Sequence, residues 1–130
     1  MKKESLLHRQ VHPSFVQADG VSSQLFSVTS QTFRPTPKDE QKLSVYNGEK
    51  FTAEDSYDHF IKEGYVSAGV LSLSISECES ESLTVLEDNN PFDGHTHIDF
   101  TSLSVSSTEK KAKKLKRFAL DRGWQHGPLK

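Results

Sequence analysis

The chain has 130 residues, a net charge of −2 and 33% hydrophobic residues, which suits one domain with a modest core. Eight Phe, three Tyr and one Trp argue against disorder throughout, and the single cysteine, Cys78, excludes an intramolecular disulfide framework and a cysteine zinc knuckle. No apolar run approaches the ~20 residues that span a bilayer, and Glu4, His8 and Arg9 interrupt any signal-like core after Met1-Lys2-Lys3, so a reducing, cytoplasmic setting is expected.

Residues 1–10 read as a flexible start. Pro13 pushes His12 toward an extended backbone, and Asp19-Gly20 is a turn. An internal echo follows, in which Val21-Ser22-Ser23-Gln24-Leu25-Phe26 is matched seven residues on by Val28-Thr29-Ser30-Gln31-Thr32-Phe33. Both copies are β-prone. An odd shift would turn them to opposite faces of one strand, so a bend or bulge near Ser27, or an inserted copy, is expected. Arg34-Pro35-Thr36-Pro37-Lys38-Asp39 is an extended loop, Leu43–Tyr46 a short strand and Asn47-Gly48 a turn.

Thr52 caps a short middle helix that runs to Glu63, with Tyr57, Phe60 and Ile61 inward and Gly64 as terminator. Residues 65–76 alternate Leu71, Leu73 and Ile75 with serines, the pattern of a strand, with Gly69 as a bulge or a close backbone approach. Glu77–Glu81 reads as a solvated acidic run, Leu83–Leu86 as an apolar piece of unassigned type, and Asp88–Gly94 as a loop. The last element is a helix over 106–123. Ser106 to Glu109 forms its capping box, Gly123 its stop, and Ala112, Leu115, Phe118 and Ala119 its inner stripe. The expected fold is α+β, a single domain over 1–130. It has a small, mostly antiparallel sheet of four to six strands, one short middle helix, and one long basic C-terminal helix packed on a sheet face.

Gly94-His95-Thr96-His97-Ile98-Asp99-Phe100 concentrates the candidate chemistry. As a strand it places His95, His97 and Asp99 on one face. The His-x-His-x-Asp string resembles the opening of the metal motif of metallo-β-lactamase-type hydrolases. The resemblance covers five residues and stops where that motif needs another histidine, since Phe100 follows Asp99. Too few ligands remain for a transition metal, so no metal and no cofactor are expected. His95 and Asp99, with His12, Arg34 or Tyr46, are the candidate acid–base set. Cys78 lies among acids that oppose a thiolate.

The polar cluster of residues 22–46 offers Ser30, Gln31, Arg34 and Lys38 as an anion-binding floor, with Ser44 and Tyr46 beside them; the plainer alternative is a strand pair with a polar face. Charge is uneven along the chain. Residues 1–108 carry 8 Lys+Arg against 16 Asp+Glu, and residues 109–130 carry 8 against 2. Lys110, Lys113, Lys114 and Arg117, with Trp124 at the helix end, therefore form a candidate surface for an acidic protein partner or nucleic acid. A lysine-rich face that merely solubilises the helix is the competing explanation.

Several blocks carry a wider resemblance: His12-Pro13-Ser14, Ser30 through Asp39, Leu43-Ser44-Val45-Tyr46, Ile98-Asp99-Phe100, and Lys111-Ala112-Lys113 with Arg122-Gly123-Trp124. In this order they resemble a group of small uncharacterised bacterial proteins over nearly the whole chain. The resemblance implies a bacterial origin and one intact domain, with no mechanism attached. That group has a single Ser-Gln-x-Phe copy, which makes residues 21–27 an insertion here, and its pattern fits His95 better than His97. The leading functional expectation is a non-enzymatic binding or interaction protein working through the basic helix and the loop at 34–42. The alternative is a small enzyme with a His/Asp/Arg pocket for a phosphate- or nucleotide-like ligand.

Overall fold

A computed structural model of the chain describes residues 2–18, 26–35 and 40–128. Most of the first echo copy, the Asp19-Gly20 turn and Lys38 lie outside them. The fold is α+β, with seven strands among the described residues: β1 (Leu6–Val11), β2 (Val16–Ala18), β3 (Phe26–Val28), β4 (Lys42–Asn47), β5 (Gly69–Ser74), β6 (Thr84–Leu86) and β7 (His95–Asp99). The same residues include three α-helices: α1 (Ala53–Lys62), α2 (Ile75–Ser80) and α3 (Val105–Arg122). Five strands form an antiparallel sheet in the order β5-β1-β4-β7-β6, and β2 pairs β3 separately.

Residues 6–11 thus sit second from the edge of the sheet, paired along their whole length with β5, where a flexible start had been expected. Leu7 and Val11 explain this. Both are fully buried, and burial of such side chains contributes about 1.5–3 kcal/mol each. Nor does the chain bend at Ser27, which pairs with Gln17 inside the β2–β3 ladder.

One sheet face holds Leu7, Leu43, Val45, Leu71, Leu73 and Ile98, and these share a core with Ala112, Leu115 and Ala119 of α3 and with Phe33 and Phe100. The apolar stripe expected of the last helix therefore does what its spacing implies. Its cap differs. Ser104, not Ser106, is the cap and accepts from the Ser107 N–H, two residues earlier than expected, while Gly123 ends the helix at φ 92°.

The other face is polar and is half covered by α1, capped by Thr52 as its sequence implies. Gln10 on β1 donates to Ser56 of α1 at 3.0 Å. Ser56 is the residue α1 buries, whereas Ile61 is 39% exposed and not inward. The predicted strand 65–76 is shorter than expected. Tyr65 and Val66 are exposed, and the chain turns into α2 at Ser74 through a reciprocal capping box with Glu77.

Candidate functional site

Strand register builds the site. In the β4–β7 ladder Tyr46 faces His95, Ser44 faces His97 and Lys42 faces Asp99, so these six side chains share the polar face. The loop from Glu87 to Gly94 folds back over it. Asn89, at φ 50°, donates its N–H to the His95 carbonyl at 2.9 Å, and its side chain accepts from the Gly94 N–H at 2.9 Å. Buried Asn47 holds Glu87 at 3.0 Å. The loop is thereby tied down at both ends, and Asp88 is carried onto the two histidines.

Asp88 is the centre of the cluster. Its Oδ1 lies 2.5 Å from His95 Nδ1 and its Oδ2 lies 2.8 Å from His97 Nδ1, so one carboxylate accepts from both rings. Burial alone would raise its pKa. The hydrogen bonds from His95 and His97 outweigh that and hold the carboxyl below its ordinary range. Because Asp88 occupies Nδ1, the neutral His95 ring presents the Nε2 lone pair, 3.2 Å from Ser44 Oγ. His97 Nε2 is buried without a hydrogen-bond partner among the described residues.

Beside this cluster a cleft of about 530 Å³ opens between β1, β4, α1 and the 88–94 loop. Tyr46, His59, Phe60, Tyr65, Phe92 and His95 supply its rings. Phe92 packs against His59 (centroids 4.4 Å apart), Tyr46 (5.0 Å) and the edge of His95 (5.4 Å). The Tyr46 hydroxyl donates to His59 Nδ1 at 2.9 Å, and burial, reinforced by the Glu63 charge, pushes its pKa up to about 12. It stays protonated at any working pH. Glu63 lies 3.7 Å from His59 Nε2. At the back, Arg9 lines the cleft and donates from Nη1 to the Ser44 carbonyl at 2.9 Å and from Nε to the Thr32 carbonyl at 2.8 Å.

Of the five candidate acid–base residues, the structure brings Tyr46 and His95 together at the cleft and leaves three elsewhere. Asp99 caps the Thr101 N–H at 2.8 Å and does not touch His95, because four steps along the strand separate them by roughly 13 Å. His12 is exposed and caps its own turn, accepting from the Ser14 N–H at 3.0 Å. Arg34 is paired with Glu109 of α3 at 2.8 Å, while Ser30 and Gln31 lie in a short 3-10 turn outside the cleft.

His97, which the sequence pattern set aside, shares the carboxylate with His95. Among the described residues no group of three or more His, Cys, Asp or Glu is arranged to hold a metal. Cys78 is buried and its thiol is pushed up to about 12, first by burial and then by Glu77 and Glu79.

The basic helix divides. Lys111 reaches the Glu81 carbonyl at 2.5 Å, Lys114 the Glu81 carboxylate at 3.6 Å, and Arg122 the Glu77 carboxylate at 2.8 Å, so the acidic run 77–81 neutralises one flank. Lys110, Lys113 and Arg117 are exposed and form no ion pair with described residues. Trp124 is half-buried, with the six-membered part of its ring set against Gly69.

No protein-family model matches this chain, and no curated protein or solved structure matches it. No helix among the described residues is long and apolar enough to cross a membrane.

Proposed function

We propose that this chain is a binding protein for a small, flat, largely apolar molecule, seated in the cleft between α1 and the 88–94 loop. The observation that supports this is the ring-walled cavity itself. Its volume of about 530 Å³ lies within the roughly 300–1,000 Å³ range of small-molecule sites, and polar groups converge on it at a few points: the His95–Ser44 pair, the Tyr46–His59 pair with Glu63, Gln10 and Arg9. Arg9 is already engaged with two carbonyls, which favours a neutral ligand over a phosphate. A set of nucleobases, indoles and substituted benzoate esters, screened by ligand-observed and protein NMR, tests the reading. Binders are expected to perturb Tyr46, Phe92 and His95, and Phe92→Ala should weaken them about tenfold, the equivalent of ~1.4 kcal/mol of lost ring packing. Hits that map elsewhere, or that ignore Phe92→Ala, overturn it.

A second reading rests on the outer row of α3. Lys110, Lys113 and Arg117 share one helix face and have no partner among the described residues, which supports docking of an acidic protein segment. An Asp/Glu-rich peptide should bind with an affinity that falls steeply between low and physiological salt, and the triple exchange Lys110→Gln, Lys113→Gln, Arg117→Gln should abolish it. A flat salt response would sink this reading. Stronger binding of single-stranded DNA than of the peptide would replace it with a nucleic-acid surface.

A further inference from the structure

We infer that Ser44 is a nucleophile, activated by His95 and oriented by Asp88, and that the cleft takes an ester or thioester carrying a flat group. The substrate class rests on the cleft reading above; the nucleophile rests on the geometry of three side chains. Asp88 Oδ1, 2.5 Å from Nδ1, fixes the His95 tautomer, and Nε2 then faces Ser44 Oγ at 3.2 Å. This is the order of groups that acyl-transfer enzymes on unrelated folds use to make a hydroxyl attack. Ser44 is exposed, so its hydroxyl needs no buried partner to satisfy it, yet it sits on an imidazole whose other nitrogen is held by a carboxylate. His97 acts as a positioning residue: its Nδ1–H holds the second carboxylate oxygen at 2.8 Å and keeps Asp88 from turning away.

The chemistry closes without a further reagent. Ser44 Oγ attacks the carbonyl carbon while its proton moves to His95 Nε2, giving a tetrahedral oxyanion. Collapse breaks the bond to the leaving alkoxide or thiolate, which takes the proton from His95. Water, deprotonated by the same nitrogen, then attacks the acyl-Ser44; the bond from the acyl carbon to Ser44 Oγ breaks, Oγ takes the proton back from His95, and the acid is released.

The test uses the full chain and a fluorophosphonate probe, followed by intact mass and tryptic mapping. Cleavage after Lys42 and Lys50 yields Leu43–Lys50, in which Ser44 is the only Ser or Thr. One adduct on that peptide is expected. It should vanish in Ser44→Ala, a change on an exposed position that leaves the core untouched, and slow at least ~100-fold in His95→Gln and Asp88→Asn. Labelling spread over several serines, labelling that survives Ser44→Ala, or no adduct at all overturns the nucleophile. Flat ligands that bind at Phe92 without any adduct leave the cleft reading standing and remove only the nucleophile. An adduct on Ser44 that such ligands do not slow removes the substrate class instead.

Discussion

Asp88→Ala is expected to lower the unfolding free energy by about 2–3 kcal/mol at pH 7, a large share of the stability of so small a domain. The change strands two imidazole N–H groups at once. His97 is almost buried and His95 nearly so (side chains 9% and 14% exposed), and a hydrogen bond to a charged acceptor contributes about 1.5–3 kcal/mol. Asp88 itself is 31% exposed, so water recovers part of the loss and the two bonds do not add in full.

The pH dependence separates this residue from His8, a perturbed group on the same sheet face. Asp88 has a folded pKa below that of a free carboxyl, so its stabilisation is present above about 3.9 and is lost as pH falls through the lowered value. His8 shifts the opposite way in charge terms. Burial, partly offset by its bond to the Phe51 carbonyl, depresses its pKa, so the unfolded chain takes up its proton first and stability starts to fall below about 6.5. Urea unfolding of the native chain should therefore weaken in two windows. Asp88→Ala should keep the upper one and reduce the lower, to which Asp99 and Glu49, also held below the ordinary carboxylate range by their hydrogen bonds, still contribute. Equal stability of the two proteins at pH 7 would show that the carboxylate merely lies near the rings.

Periodicity made α3 and the β4 strand legible, because their apolar spacing answers to one local period each. The alternation of Leu71, Ser72, Leu73, Ser74 and Ile75 misled at its end. Ser74-x-x-Glu77 was a capping box in plain view, but the strand pattern ran past it and hid α2. The site was half legible for a similar reason. Alternation placed His95 and His97 on the polar face, and it offered Asp99 as their carboxylate because Asp99 shares that face. The carboxylate that reaches them comes from seven and nine residues upstream across a folded-back loop. Ser44 needed the β4–β7 register, which no local pattern encodes. The packing of Trp124 against Gly69, fifty-five positions away, is likewise beyond any local pattern.

That contact makes Gly69→Val the most damaging single change expected. Gly69 has φ 153°, outside the range β-branched residues adopt. A Cβ there would stand 2.5 Å from the His126 carbonyl oxygen and 3.0 Å from the Trp124 ring. Backbone strain costs about 1–3 kcal/mol and overpacking about as much again. The obstacle is backbone on one side and a rigid ring on the other, so the segment cannot yield by rotating a side chain. It must leave, taking with it the Val70 N–H to His126 carbonyl bond (2.8 Å) and the Gln125 N–H to Val70 carbonyl bond (2.9 Å) that cover the β5 edge. Trp124 is the one tryptophan, so its fluorescence reports this event alone. A red-shifted emission and a midpoint of unfolding lowered by ten degrees or more are expected, from roughly 3–5 kcal/mol of destabilisation. Unchanged emission with unchanged stability would mean that Trp124 does not rest on Gly69, and would return the ring to the surface as a candidate for stacking on a base.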